Sequence, residues 1–408
     1  GAMLPSIRPA VRSDRPNPAF HRARQAASLA RMIDDTPLET AIAQGKLPGA
    51  VAMLSTRAGE TYARAFGMAD TTTGRPMAVD TPFQIASMTK AIVSVSAMQL
   101  VERGALSLND PIGTVLPDLA GSRVLTGFAA DGTPELRPAS RPITLRHLLT
   151  HTAGLGYAFV QPEILRWYGA TGMPQPGSRA AITMPLMFEP GERWEYSVAT
   201  DWIGLAIEAA TGSTLGAYLA EHVLQPLGMD ATGFHPALPD AAARVHVRTP
   251  EGGLATIPMV IGGGEFESGG GGLVSTAPDY TRFVQMILRG GELDGNRVLK
   301  SETVDDMSRN HIGTLRAGAL GTSMPDLATA FDPFPEQHSG WGLGFLINPE
   351  QGRDGRSAGS LSWAGIFNSY YWIDPAADVA GVFMAQMVPF ADPGALAAYA
   401  ALERMAYP

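Results

Sequence analysis

Strand-like segments lie at both ends of this 408-residue chain, and helix-like ones fill its middle. Near the start, Gly49–Thr56 (GAVAMLST) and Glu60–Gly67 (ETYARAFG) read as two strands around a tight turn at Arg57-Ala58-Gly59. Near the end, Gly342–Ile347, Leu361–Ile373 and Val379–Met387 read as strands, the last two joined by a turn at Asp374–Asp378. A helix over about Pro393–Met405 follows. Between these ends the apolar spacing is helical: Ser87–Gly104, Trp202–Ala210 and Tyr280–Leu288 each run to a glycine-containing stop. The simplest architecture pairs the two ends in one sheet. That predicts an α+β fold: an antiparallel sheet of N- and C-terminal segments flanked by helices, plus an all-helical domain. Residues 21–90 and 315–408 then form a discontinuous α/β domain and 91–314 a mainly helical one. Residues 1–20 are a loose arm opening on a tag-like Gly1-Ala2-Met3, with a helix expected after Pro18.

Composition narrows the function classes. Apolar residues are 45% and charged ones 17%, which suits a large buried core. With no cysteine, disulfides, thiolate metal sites and cysteine nucleophiles are all excluded. The net charge of −9 and the lack of a long basic run argue against nucleic acid as a partner. No stretch approaches the roughly 20 apolar residues of a membrane span, so no membrane partner is expected. No apolar signal segment opens the chain, and a cytoplasmic location is the expectation. Oligomeric state is left open.

Of the 30 basic residues only three are lysine, namely Lys46, Lys90 and Lys300. One of them sits in Ser87-Met88-Thr89-Lys90. Serine and lysine three apart on a helix share a face. Ser87 near a helix start also has N–H groups suited to a developing oxyanion. Serine needs a base to become a nucleophile. Lysine can serve as one, whereas arginine does not deprotonate in proteins. A solvated lysine on a helix face is the plain alternative for so short a motif.

Other motifs carry less. Gly355-Arg356-Ser357-Ala358-Gly359 fits the nucleophile elbow GxSxG, but no histidine follows Ser357, and a glycine-rich turn is the better reading. His147 and His151 have metal-binding spacing, yet Leu148 stands where HExxH needs glutamate and no acid nearby offers a third ligand. They read as a structural pair, and no metal is expected. Gly262–Gly272 lacks the ending of a phosphate loop and reads as a loop allowing close backbone approach. Tyr196, before a helix, is either packing or a proton relay.

Taken together, the motifs resemble the serine β-lactamase and penicillin-binding-protein superfamily, in its class-C-like members. Phe83–Lys90 resembles the nucleophile helix start, and Leu148–Leu155 (LLTHTAGL) a frequent segment. Glu189-Pro190-Gly191 with Tyr196-Ser197 resembles the approach to the catalytic tyrosine, and Gly271–Tyr280 (GGLVSTAPDY) another recurrent block. The resemblance spans about residues 45–390. It implies Ser87 as nucleophile, Lys90 and Tyr196 as the joint base and acid, and no cofactor. The oxyanion would sit between the N–H of Ser87 and one near Ile366. Two departures matter. Val198 replaces the asparagine of the β-lactamases, and Trp363-Ala364-Gly365 stands where they carry Lys-Thr-Gly. Trp-x-Gly resembles the family VIII carboxylesterases, which usually show Trp-Gly-Gly. An apolar wall at Trp363, with Gly365 and Tyr157 as further substrate-binding residues, suits a neutral ester better than an anionic β-lactam. The resemblance thus implies a carboxylesterase for short-chain or small neutral esters. An amidase, D-peptidase or acyltransferase with the same site, a β-lactamase and a non-catalytic binding protein on this fold are the alternatives.

Overall fold

The computed structural model describes residues 34–335 and 337–407, so the expected arm and the helix after Pro18 lie outside it. After helix α1 (Thr36–Ala43) come strands β1 (Gly49–Thr56), β2 (Gly59–Asp70) and β3 (Arg75–Pro76). Helix α2 (Thr89–Glu102) begins the middle of the chain, with α3 (Leu145–Leu149), α4 (Pro162–Thr171), α5 (Ala199–Thr211) and α6 (Ala277–Leu288) further on. Strands β4 (Gly340–Trp341), β5 (Leu346–Ile347), β6 (Leu361–Gly365), β7 (Ser369–Asp374) and β8 (Val379–Met384) precede the terminal helix α7 (Pro393–Ala406).

The two ends do meet. The main sheet runs β4-β5-β6-β7-β8-β1-β2-β3, and every pairing in it is antiparallel. Its seam joins β1 to β8, with Val51 opposite Met384 and Ser55 opposite Ala380. Seven consecutive residues of β1 are buried, as expected of a strand covered on both faces. Helices α6 and α7 both pack on β8, and α7 also packs on α1. By contrast β2, next to the edge, buries only part of its length.

Three strand expectations are refined. Leu361–Ile373 is a hairpin of β6 and β7, not one strand. It turns through Ile366-Phe367-Asn368, and Asn368 takes the left-handed conformation at φ 65° that asparagine tolerates. Gly342–Ile347 is broken because Gly344 has φ 104° and lies where a Cβ would be 2.6 Å from Ser94. Regular pairing of β8 stops at Met384. The middle is not all-helical: besides its helices and loops it carries hairpins the sequence reading passed over. One is Arg123–Phe128 with Pro134–Pro138, whose Asp131-Gly132 turn has Gly132 at φ 85°.

Candidate active site

The chain before α2 is bent rather than helical. Residues Ala86–Met88 form a single 3₁₀ turn, Ala86 has the uncommon φ of 47°, and regular helix begins at Thr89. The GGLVSTAPDY block holds this bend. Phe83-Gln84 pairs with Val274-Ser275, Ile85 N donates to Leu273 O at 3.1 Å, and the Tyr280 hydroxyl donates to Met88 O at 2.9 Å. On the other side lies the end of β6. A Cβ on Gly365 would fall 2.5 Å from Ile85 O, so only glycine lets the strand come this close to the Ser87 turn.

Lys90 is 2% exposed. Its Nζ donates to Gly270 O at 2.6 Å, the Tyr157 hydroxyl at 2.9 Å and Ser87 Oγ at 3.2 Å. Three acceptors in three directions match an ammonium and not the planar fork of arginine, which is a physical reason for lysine here. The tyrosine that hydrogen-bonds Lys90 is therefore Tyr157. Tyr196 offers Lys90 its ring, with Nζ 4.8 Å from the centroid. The Tyr196 hydroxyl instead accepts a hydrogen bond from Trp363 Nε1 at 3.1 Å. Trp363 is accordingly more than an apolar wall: it points an N–H at the phenol. Its ring is locked against Trp341 at 4.7 Å and Tyr196 at 4.8 Å.

Electrostatics separates these groups. Burial pushes the Tyr157 phenol well above its usual range, helped by Tyr196 and Asp201, so Tyr157 stays protonated. Burial also holds His151 well below the usual imidazole value, with Lys90's charge adding to the effect. Neutral His151 shares a hydrogen bond with Ser197 at 3.0 Å and packs 5.0 Å from the Tyr196 ring. His147 closes a capping box with Thr144 at the start of α3. Both histidines thus have structural work. Ser357 lies in a turn before β6, its N–H donating to Asp374 at 2.7 Å, and the next element is that strand rather than a helix.

Ser87, Tyr196, Trp363, Gly365 and Ile366 line one narrow cavity, together with Ala364, Phe159, Leu320 and Phe390. None of the nine lining residues carries a charge. Val198 is buried at 5% exposure at the start of α5. Sequence reasoning missed Phe159, Leu320 and Phe390, which come from separate loops, and also Asp201. The glycine-rich segment did signal close backbone approach. Gly262 sits where a Cβ would be 2.4 Å from Gly272 Cα, and Gly270 supplies the carbonyl on Lys90.

Comparison with known proteins agrees with this geometry. The beta-lactamase family model matches residues 31–406. A lovastatin esterase of Penicillium rubens is 33% identical, over 87% of this chain and 92% of that protein. A monacolin J acid methylbutanoyltransferase of Aspergillus terreus is 33% identical, over 90% of this chain and 93% of that protein. Esterase EstB of Burkholderia gladioli is 31% identical, over 86% and 88%. Among solved structures, a simvastatin synthase from Aspergillus terreus superposes with a TM-score of 0.79 at 30% identity, covering 96% of this chain and 98% of that one. With a match running from before the first sheet strand into the last helix, the chain belongs to the beta-lactamase family and is an enzyme of its serine hydrolase and acyltransferase kind.

Proposed function

We propose that the protein is a carboxylesterase acting on short-chain or small neutral esters through an acyl-enzyme on Ser87. The observation that supports this most is Lys90 Nζ, 3.2 Å from Ser87 Oγ, at the edge of a cavity whose lining is uncharged. Ser87 Oγ attacks the acyl carbonyl. Its proton passes to the Lys90/Tyr196 pair, which returns it to the leaving alkoxide. The oxyanion sits between the N–H of Ser87 and that of Ile366. Water then repeats the sequence on the acyl-enzyme. Trp363 in place of a lysine leaves this wall without a cation for a carboxylate-bearing substrate, which weights the reading toward neutral esters.

A second reading has its own support, since relatives of similar identity are named esterase and methylbutanoyltransferase. In an acyltransferase an acceptor alcohol replaces water in the second half-reaction. One experiment separates these. Initial rates are measured on p-nitrophenyl butyrate, with and without 1-butanol, and on a chromogenic cephalosporin, for wild type, Ser87→Ala and Lys90→Arg. The ester is expected to be cleaved faster than the cephalosporin. Ser87→Ala should abolish turnover, and Lys90→Arg should lose roughly 100-fold or more, because it keeps the charge but not the base. Faster cephalosporin turnover overturns the esterase reading, and butyl butyrate forming in place of butyrate moves it to acyl transfer.

A further inference from the structure

The glycine-rich segment and Asp201 have no part in the chemistry above, yet they meet at its base. Asp201 lies in the first turn of α5 and is 5% exposed. Its Oδ1 accepts from Ser268 Oγ at 2.6 Å and from Gly270 N at 2.9 Å. The carbonyl of the same Gly270 accepts from Lys90 Nζ at 2.6 Å. One glycine is thus gripped at its N–H by a buried carboxylate and at its C=O by the buried ammonium. The close approach is tied to the residue type. A Cβ on Gly270 would fall 2.6 Å from Asp201 Oδ2, and one on Gly269 would fall 2.6 Å from Thr200 O. The segment is laid flat against the start of α5, where the helix dipole also favours a carboxylate.

We infer that Asp201 is a positioning residue for Lys90, acting through Gly270, whose carbonyl it aims so that the ammonium is held against Ser87. This rests on Lys90 being the base. Burial pushes the Asp201 carboxyl above its usual range, and the charge of Lys90 with the hydrogen bonds from Ser268 and Gly270 pulls it back only in part. The arrangement supplies a fixed acceptor beside the lysine. The other groups facing Lys90 are Ser87 on its own turn, Tyr157 and His151 from the segment after α3, and Tyr196 from the segment before α5. None of them carries a compensating negative charge in its neutral form.

The test compares wild type with Asp201→Asn, Gly270→Ala, Gly263→Ala and Lys90→Arg. It records kcat and KM on p-nitrophenyl butyrate, with thermal midpoints as a check on folding. Asp201→Asn should lower kcat roughly tenfold or more with KM nearly unchanged. Gly270→Ala should lower kcat likewise. Gly263→Ala, with nothing within 4 Å of the added Cβ, should not. If Asp201→Asn does not fold, Asp201→Ser stands in, because it too removes the carboxylate that holds Gly270 N. Wild-type kcat in Asp201→Asn, or in Asp201→Ser if that variant has to stand in, overturns the inference while Lys90→Arg remains inactive. Full activity in Lys90→Arg instead removes the base reading, and this inference with it.

Discussion

At the scale of single residues, Trp363 and Glu195 make separate predictions. Trp363→Phe keeps an aromatic wall and deletes the N–H that meets Tyr196 at 3.1 Å. If that hydrogen bond steadies the phenol during proton transfer, kcat on p-nitrophenyl butyrate falls about tenfold while KM changes little, the size expected for one good hydrogen bond. If the ring serves only as a wall, the change appears in KM. Glu195, beside Tyr196, is pushed by burial from 4.5 up to about 7. The sign follows from linkage. Below 4.5 the folded and unfolded states are both protonated. Between 4.5 and about 7 the unfolded state ionises first, so stability falls as pH rises, and above that window the deficit is constant. Glu195→Gln should therefore raise the unfolding midpoint at about pH 8 and leave it nearly unchanged at about pH 4. Lys90 was legible in the sequence because lysine is scarce here, and its three bonds give the scarcity a reason. The Trp363 N–H was not legible, because its target is set by a tertiary approach between residues far apart in the chain.

At the scale of elements, the misleading GxSxG stretch turns out to be an anchor. Arg356 is buried at 4% side-chain exposure and pairs with Glu403 on α7 at 2.7 Å. It also donates to the Tyr399 hydroxyl at 2.6 Å and lies over the rings of Phe334, Trp372 and Tyr399. Removing one partner of such a pair strands a buried charge. Arg356→Ala should cost about 3–5 kcal/mol, read from urea unfolding. Ser357→Ala should leave turnover of p-nitrophenyl butyrate as in wild type, since the serine's link to Asp374 uses its backbone N–H. An inactive but folded Ser357→Ala would revive the elbow. Long helices were read from the sequence to within a few residues, as in α5, α6 and α7, because their apolar faces repeat over several turns. Strand limits were read less well. The β6–β7 hairpin turns through Ile366-Phe367-Asn368 within an aromatic-rich stretch, where only Gly365 and Asn368-Ser369 mark it and no proline does.

At the scale of the whole molecule, the N-terminal part supplies three strands of the main sheet and the C-terminal part five, and the site likewise draws on distant parts of the chain. Ser87 and Lys90 come from just after the first strands, Tyr157, Tyr196 and Gly270 from the helical middle, and Trp363 from β6 near the other end. The superfamily was legible because its motifs are local. The cavity wall was not, because Phe159, Leu320 and Phe390 converge only after folding. Gly365→Ala tests the joint between the two ends: the added methyl meets Ile85 O, and activity should fall sharply even where the fold persists, as circular dichroism would show. The β1–β8 seam has a consequence for biosynthesis. On the ribosome, the apolar segment Gly49–Thr56 emerges more than 300 residues before its hydrogen-bonding neighbour Val379–Met384. A nascent chain that stalls midway exposes a sticky, half-paired strand. Truncated translation products of this protein are therefore expected in the insoluble fraction or bound to chaperones.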